Sequence, residues 1–173
     1  TKEIKGRKIT FRLMSPKDRD KAVAFTSTLT HDEILYLMMD ITKPEVIDET
    51  INNVKRGRAV VVIAEEGGKV VGYGSLFHNE LLWTRHQGEI RLFVSKDVRG
   101  ISLGRHLAME MVQIAHDNDL ELIVVNVPRE QPHVRQMLEK MGFTVEALLT
   151  DWLIDQDGRT HDLIVMSHHV SDF

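Results

Sequence analysis

Two arginines and two glycines crowd one short run, Val98-Arg99-Gly100-Ile101-Ser102-Leu103-Gly104-Arg105. Behind it Leu103, Leu107, Met111, Ile114 and Ala115 recur at helical spacing, and ahead of it Glu89-Ile90-Arg91-Leu92-Phe93-Val94 reads as a strand. A glycine-marked turn that leads from a strand into a helix has a definite chemistry. The first helical turn presents N–H groups without internal acceptors at the positive end of the helix dipole, and glycine lets an anion reach that backbone. Such a run can cradle a phosphate, with Arg99 and Arg105 as added cations. A two-glycine loop before a helix is also ordinary turn chemistry, and either arginine can be a solvated charge.

Other chemistries are narrowed by what the sequence contains. It has no cysteine, which removes disulfides, thiolate metal sites and a cysteine nucleophile together. Of its nine histidines, His168 and His169 are neighbours on a predicted strand, so they face opposite ways and do not share a cation. No metal is expected. Tyr36 and Tyr73 are the only tyrosines.

With 173 residues, 42% of them hydrophobic, the chain suits a single domain spanning 1–173. A net charge of -4 and a pI near 6.1 argue against nucleic acid as a partner. Neither a run of apolar residues long enough to span a bilayer nor a signal peptide is readable, so no membrane partner and a cytoplasmic setting are expected. A homodimer stays open, and so does attachment to another domain, because the chain begins at Thr1 rather than Met.

The elements that must position the cradle follow in order. Ile9 to Leu13 alternates as a strand; Ser15-Pro16-Lys17-Asp18 caps a helix through Phe25; Thr30 and Glu33 cap a second through Leu37; Pro44 opens a third that ends at Gly57. Ala59 to Glu65 and Val70 to Phe77 form a hairpin about Gly67-Gly68, and the strand from Glu89 to Val94 follows a polar loop. After the cradle helix come a strand from Leu120 to Val127, a helix bracketed by Pro132 and Gly142, and two strands joined through Asp157-Gly158, read as a tight hairpin. The expectation is an α/β (α+β) domain around one mostly antiparallel mixed sheet of about seven strands, flanked by helices.

The cradle resembles motif A of the GNAT acyltransferases, Arg/Gln-x-x-Gly-x-Gly/Ala after a strand, with Arg99, Ser102 and Gly104 in its fixed places and Ser102 standing where the family has glycine. Gln131 to Phe143 is similar to the family's Asn-x-x-Ala-x-x-Leu-Tyr-x-Lys-x-Gly-Phe segment, retaining Lys140, Gly142 and Phe143, with Gln131 at the Asn and Leu138 at the Tyr. Asp157 to Met166 is similar to its closing hairpin. Within the family, the ending and the Glu-bearing strand look most like bacterial protein-lysine acetyltransferase domains.

The resemblance implies a GNAT fold and an N-acetyltransferase that passes an acetyl or other short acyl group from acetyl-CoA to a primary amine in a ternary complex. It implies that main chain at Phe93 and Val94 holds the pantetheine arm. Backbone at Arg99, Gly100, Ile101, Ser102, Leu103, Gly104 and Arg105 would hold the pyrophosphate, and Gln131 would add a contact to the cofactor. It also implies a catalytic carboxylate at Glu89, where the family often has Glu. An amine with a pKa of about 10 must shed a proton before it attacks a thioester. Glu89 as a plain partner of Arg91 is the competing role, with His78 and Glu80 next in line as bases. The Tyr that often protonates the leaving thiolate in the family is absent, but a thiol with a pKa of about 8.5 leaves without a dedicated acid. A non-catalytic acyl-CoA-binding regulatory domain is the alternative.

Overall fold

The chain opens with a strand pair that its sequence hides. In the computed structural model, β1 (Lys2–Ile4) folds back on β2 (Arg7–Leu13) through Lys5 and Gly6, both left-handed at φ 48° and 79°. Two left-handed residues match the strand twist of a tight hairpin, but Lys-Gly lacks the Asn or Asp that usually announces one. The sheet therefore has eight strands among the described residues where about seven are expected. The structure describes residues 1–35, 37, 39–78, 81–95, 98 and 100–172; Arg99, Tyr36 and Glu80 lie outside them.

Asp18 organises the next turn. Its carboxylate accepts the Ser15 N–H at 2.8 Å and both terminal nitrogens of Arg12, at 2.8 and 2.6 Å. A single 3-10 turn at Pro16–Asp18 then leads into α1 (Arg19–Thr26). The second helix is shorter than its apolar spacing suggests, since α2 covers only His31–Ile34. Asp40 instead turns the chain by accepting the Thr42 N–H at 3.0 Å, while Leu37 packs on the core. Helix α3 (Pro44–Lys55) begins at its proline as expected, and Gly57 follows it at φ 71°.

Next come β3 (Ala59–Glu66), β4 (Lys69–His78), β5 (Gln87–Val94), α4 (Leu103–Asp117), β6 (Leu122–Pro128), α5 (Pro132–Lys140), β7 (Thr144–Ile154) and β8 (Thr160–His169). The sheet order is β1-β2-β3-β4-β5-β6-β8-β7. Every neighbouring pair is antiparallel except β5 and β6, which are parallel because α4 carries the chain across between them. The Asp157-Gly158 turn is looser than its dipeptide suggests. Asp155 accepts the N–H groups of Asp157 and Arg159 at 2.8 and 3.0 Å, so the loop between Ile154 and Thr160 closes on a side chain.

The sheet separates two cores. On one face Leu76 and Ile90 pack under Leu107 and Met111 of α4 and Leu138 of α5; on the other Tyr73 and Phe93 pack with Phe25 of α1 and with Ile47 and Ile51 of α3. Alternation along β4 and β5 assigns these faces, because neighbouring strand residues point opposite ways. Gly74 lets α4 come close, since a Cβ there would lie 3.2 Å from Leu92 and 3.5 Å from Met111. Among the described residues no helix is long and apolar enough to cross a membrane.

Candidate active site

Strand β5 pairs with β4 along its length, from Gly72 opposite Val94 to His78 opposite Gly88. It pairs with β6 only through Gln87, Gly88 and Glu89, opposite Leu122, Ile123 and Val124. Past Glu89 the two parallel strands part, and the edge of β5 from Ile90 to Val94 has no ladder partner on that side among the described residues. Backbone donors and acceptors on such an edge require partners, and an extended ligand carrying amides can act as the missing strand.

The cleft between the strands opens towards the start of α4. The Ser95 N–H bonds to the Val71 carbonyl at 2.9 Å and the Val98 N–H to the Ser95 carbonyl at 3.2 Å, while buried Val98 and Ile101 anchor the turn below. Gly100 is left-handed at φ 87°, and so is Ser102 at φ 64°, an uncommon conformation for a residue with a side chain. The His106 N–H takes the Ser102 carbonyl at 3.1 Å. Helix geometry then leaves the N–H groups of Leu103, Gly104 and Arg105 without an intrahelical acceptor.

Gly104 stands at the mouth of the cleft. A Cβ built there finds Met137 Sδ at 3.7 Å and Val94 Cγ2 at 4.0 Å, ordinary contacts with α5 and with the end of β5. The structure thus places Val94 and the run from Gly100 to Arg105 around one opening, with the Phe93 side chain turned away into the opposite core. Arg105 is exposed, and Gln131 lies at the start of α5, beyond the end of β6, the other arm of the cleft. Lys5 was not expected here, yet its Nζ donates to the Gly100 carbonyl at 2.6 Å and adds a cation beside the turn. Leu138, at the place of the family's tyrosine, is fully buried, and Met137 is the α5 residue that faces Gly104.

At the apex, Glu89 and Arg91 share the face covered by α1 and α3, since they are two residues apart on one strand. Arg91 Nε and Nη2 donate to the two oxygens of Glu89 at 3.2 and 3.4 Å, and its guanidinium lies 4.2 Å from the centre of the Phe77 ring, directly opposite Glu89 on β4. The pairing with Arg91, the competing role for Glu89, is therefore present, and both side chains remain partly open to solvent, 27% and 20% exposed. Beside them Tyr73, Ser75 and Phe77 of β4 with Arg91 and Phe93 of β5 floor a small pocket under Met39, Ile41 and Thr50. Burial pushes the Tyr73 phenol well above its ordinary pKa, against the smaller opposing pull of Arg91, so it stays protonated.

The model of the acetyltransferase (GNAT) family matches residues 27–143, well over half of the chain. The chain belongs to this family of acyltransferase enzymes. Solved structures agree on the fold. The GNAT-family acetyltransferase from Streptococcus pneumoniae superposes on this one with a TM-score of 0.82 at 20% identity, covering 94% of this chain and 99% of that one. A ribosomal-protein-alanine N-acetyltransferase from Brucella melitensis gives 0.78 at 21% identity, over 92% and 99%. The spermidine N-acetyltransferase from Vibrio cholerae, in complex with CoA and spermine, gives 0.78 at 18%, over 94% and 96%. No curated protein matches the sequence.

Phe77 carried a partial signal, because alternation outward from the Gly67-Gly68 turn puts Tyr73, Ser75 and Phe77 on one face of β4. Lys5 and Met137 carry no such signal; their positions depend on how β1 and α5 settle on the rest.

Proposed function

We propose that residues 1–173 act as one domain that transfers an acetyl group from acetyl-CoA to a primary amine by direct attack in a ternary complex. The observation that carries this reading is the parting of β5 from β6 beyond Glu89, which makes an open strand edge running from a carboxylate at one end to a helix N-terminus at the other. A CoA pantetheine arm would use the edge at Phe93 and Val94, and the pyrophosphate would take the backbone from Arg99 to Arg105, with Lys5 nearby. The thioester then reaches the apex. The amine nitrogen attacks the thioester carbonyl, its proton passes to Glu89 directly or through one water, and the C–S bond breaks as CoA leaves as thiolate and takes a proton from water.

The acceptor implied by the resemblance is a lysine side chain on a protein, and lysine peptides belong in the assay beside small amines. The Brucella and Vibrio proteins are named for a protein alanine and for spermidine, so the fold alone does not choose among amines. The lack of cysteine favours a cytoplasmic setting, as does a donor too highly charged to cross membranes unaided. Titration calorimetry with acetyl-CoA, followed by a thiol-release assay over an amine panel, tests the proposal. Binding together with turnover on at least one amine is expected. Binding without turnover on any amine would leave the regulatory domain, and no binding would remove both.

A further inference from the structure

We propose that the acceptor is a free α-amino acid, its carboxylate taken by Arg91 and its amine by Glu89. This rests on the transfer reading above and names the substrate class of the same site. Arg91 and Glu89 form a pair of opposite charges at the point where the amine must arrive. An α-amino acid offers the mirrored pair, an ammonium and a carboxylate separated by one carbon.

Three observations support the exchange. The contacts of 3.2 and 3.4 Å are longer than the 2.7–2.9 Å typical of a tight charge-assisted pair, so the two groups are loosely engaged. Glu89 is the only hydrogen-bond acceptor that the described residues give Arg91, and Arg91 uses only Nε and Nη2 on it, which leaves Nη1 to receive a carboxylate. The guanidinium rests against Phe77 and lines the pocket, so it keeps its place when Glu89 lets go.

The pocket also argues against other amines. Beside Met39, Ile41, Phe77 and Phe93 it is lined by Thr50, Tyr73 and Ser75, and among the described residues Arg91 is the only charged group lining it. A polyamine would bring its second ammonium towards a guanidinium, which is repulsive. A lysine side chain in a protein brings no carboxylate next to its amine, and so leaves Arg91 on Glu89. A free amino acid satisfies both charges at once.

The test compares, with acetyl-CoA as donor, leucine and methionine against their amides, their decarboxylated amines, spermidine and a lysine peptide. The wild-type enzyme should favour each amino acid over its amide by about 10- to 100-fold in kcat/KM, the range of a hydrogen bond to a charged group. Arg91→Gln should raise KM for the amino acids by a similar factor relative to the decarboxylated amines, and so erase the preference. Arg91→Lys should restore part of it. Equal use of acid and amide by the wild-type enzyme, or better use of the peptide or spermidine, overturns the assignment without touching acetyl transfer. The same holds if Arg91→Gln lowers turnover on every acceptor alike, as loss of a purely structural pair would. The acid-to-amide comparison uses no variant and stands even if Arg91→Gln does not fold. Failure of every amine despite bound acetyl-CoA would instead remove the transfer reading, and this inference with it.

Discussion

Glu89 and Val124 are the last residues that hold β5 and β6 in one ladder, and the strands separate immediately beyond them. A carboxylate at the apex of that opening lies where a thioester running down the free edge of β5 would end. If it accepts the proton of the attacking amine, Glu89→Gln keeps the shape and loses the acceptor. Turnover should fall by about 100- to 10,000-fold while acetyl-CoA affinity holds. The deficit should shrink as pH rises, because more of the amine then arrives neutral. Steady-state rates from pH 7 to pH 10 beside calorimetry measure this, and an unchanged rate at neutral pH would move the base to another residue.

The turn from β5 into α4 was legible because its signals are local: a strand, two glycines and a helical period stand in one run, and Gly100 does take the left-handed conformation that glycine permits. The GNAT fold was implied by the resemblance of residues 98–105, 131–143 and 157–166 to family motifs. The cleft was not legible from the residues themselves. Ile90 to Val94 read as an ordinary buried strand, and nothing in their types says that β6 pairs with only the first part of β5. The pocket walls were hidden for the same reason, since Met39 and Ile41 come from a segment whose expected helix stops at Ile34. Short helices draw most of their stability from tertiary packing, so sequence period alone overestimates their length.

Asp18 should govern acid stability. Its hydrogen bonds from Arg12 hold its pKa at about 2 against an ordinary value of 3.8, outweighing the opposing effect of burial. A carboxyl whose folded pKa is depressed contributes stability that is full above its unfolded pKa and is lost as pH falls through the folded one. At pH 7 that contribution is about 2 kcal/mol. Asp18→Asn should therefore lower the urea midpoint at pH 7, and the gap between variant and wild type should narrow between pH 4 and pH 2. A gap that stays constant over that interval would show that the Arg12 pair does not set the stability.

Transfer without a covalent intermediate has its own signature. The chain lacks the thiol that most readily becomes an acyl-enzyme, and Tyr73, which lines the pocket with Arg91, is held protonated by burial. Protein incubated with radiolabelled acetyl-CoA and no acceptor should carry no label after denaturation, and initial-rate patterns should intersect. Stoichiometric label on one residue with parallel patterns would replace direct attack by a two-step route.

The cradle itself is tested by two substitutions of opposite sign. Gly104 has room for a side chain within the protein, with Met137 Sδ at 3.7 Å and Val94 Cγ2 at 4.0 Å as the nearest atoms. Valine is also a better helix former than glycine, so Gly104→Val should fold with a melting temperature near that of the wild type. Its methyl groups would occupy the mouth of the cleft, and acetyl-CoA affinity should drop at least about tenfold, equivalent to roughly 1.4 kcal/mol. Ser102 is the opposite case, because at φ 64° it holds a conformation that costs a residue with a Cβ about 1–2 kcal/mol. Ser102→Gly removes that strain and adds about 0.5–1 kcal/mol of unfolded-chain entropy, so stability should stay within about 1 kcal/mol of the wild type. Affinity should hold or rise, since glycine lets an anion approach the turn at least as closely. Calorimetry with acetyl-CoA reads both, and a Gly104→Val protein that is folded and binds as tightly as the wild type would place the phosphates somewhere other than this turn.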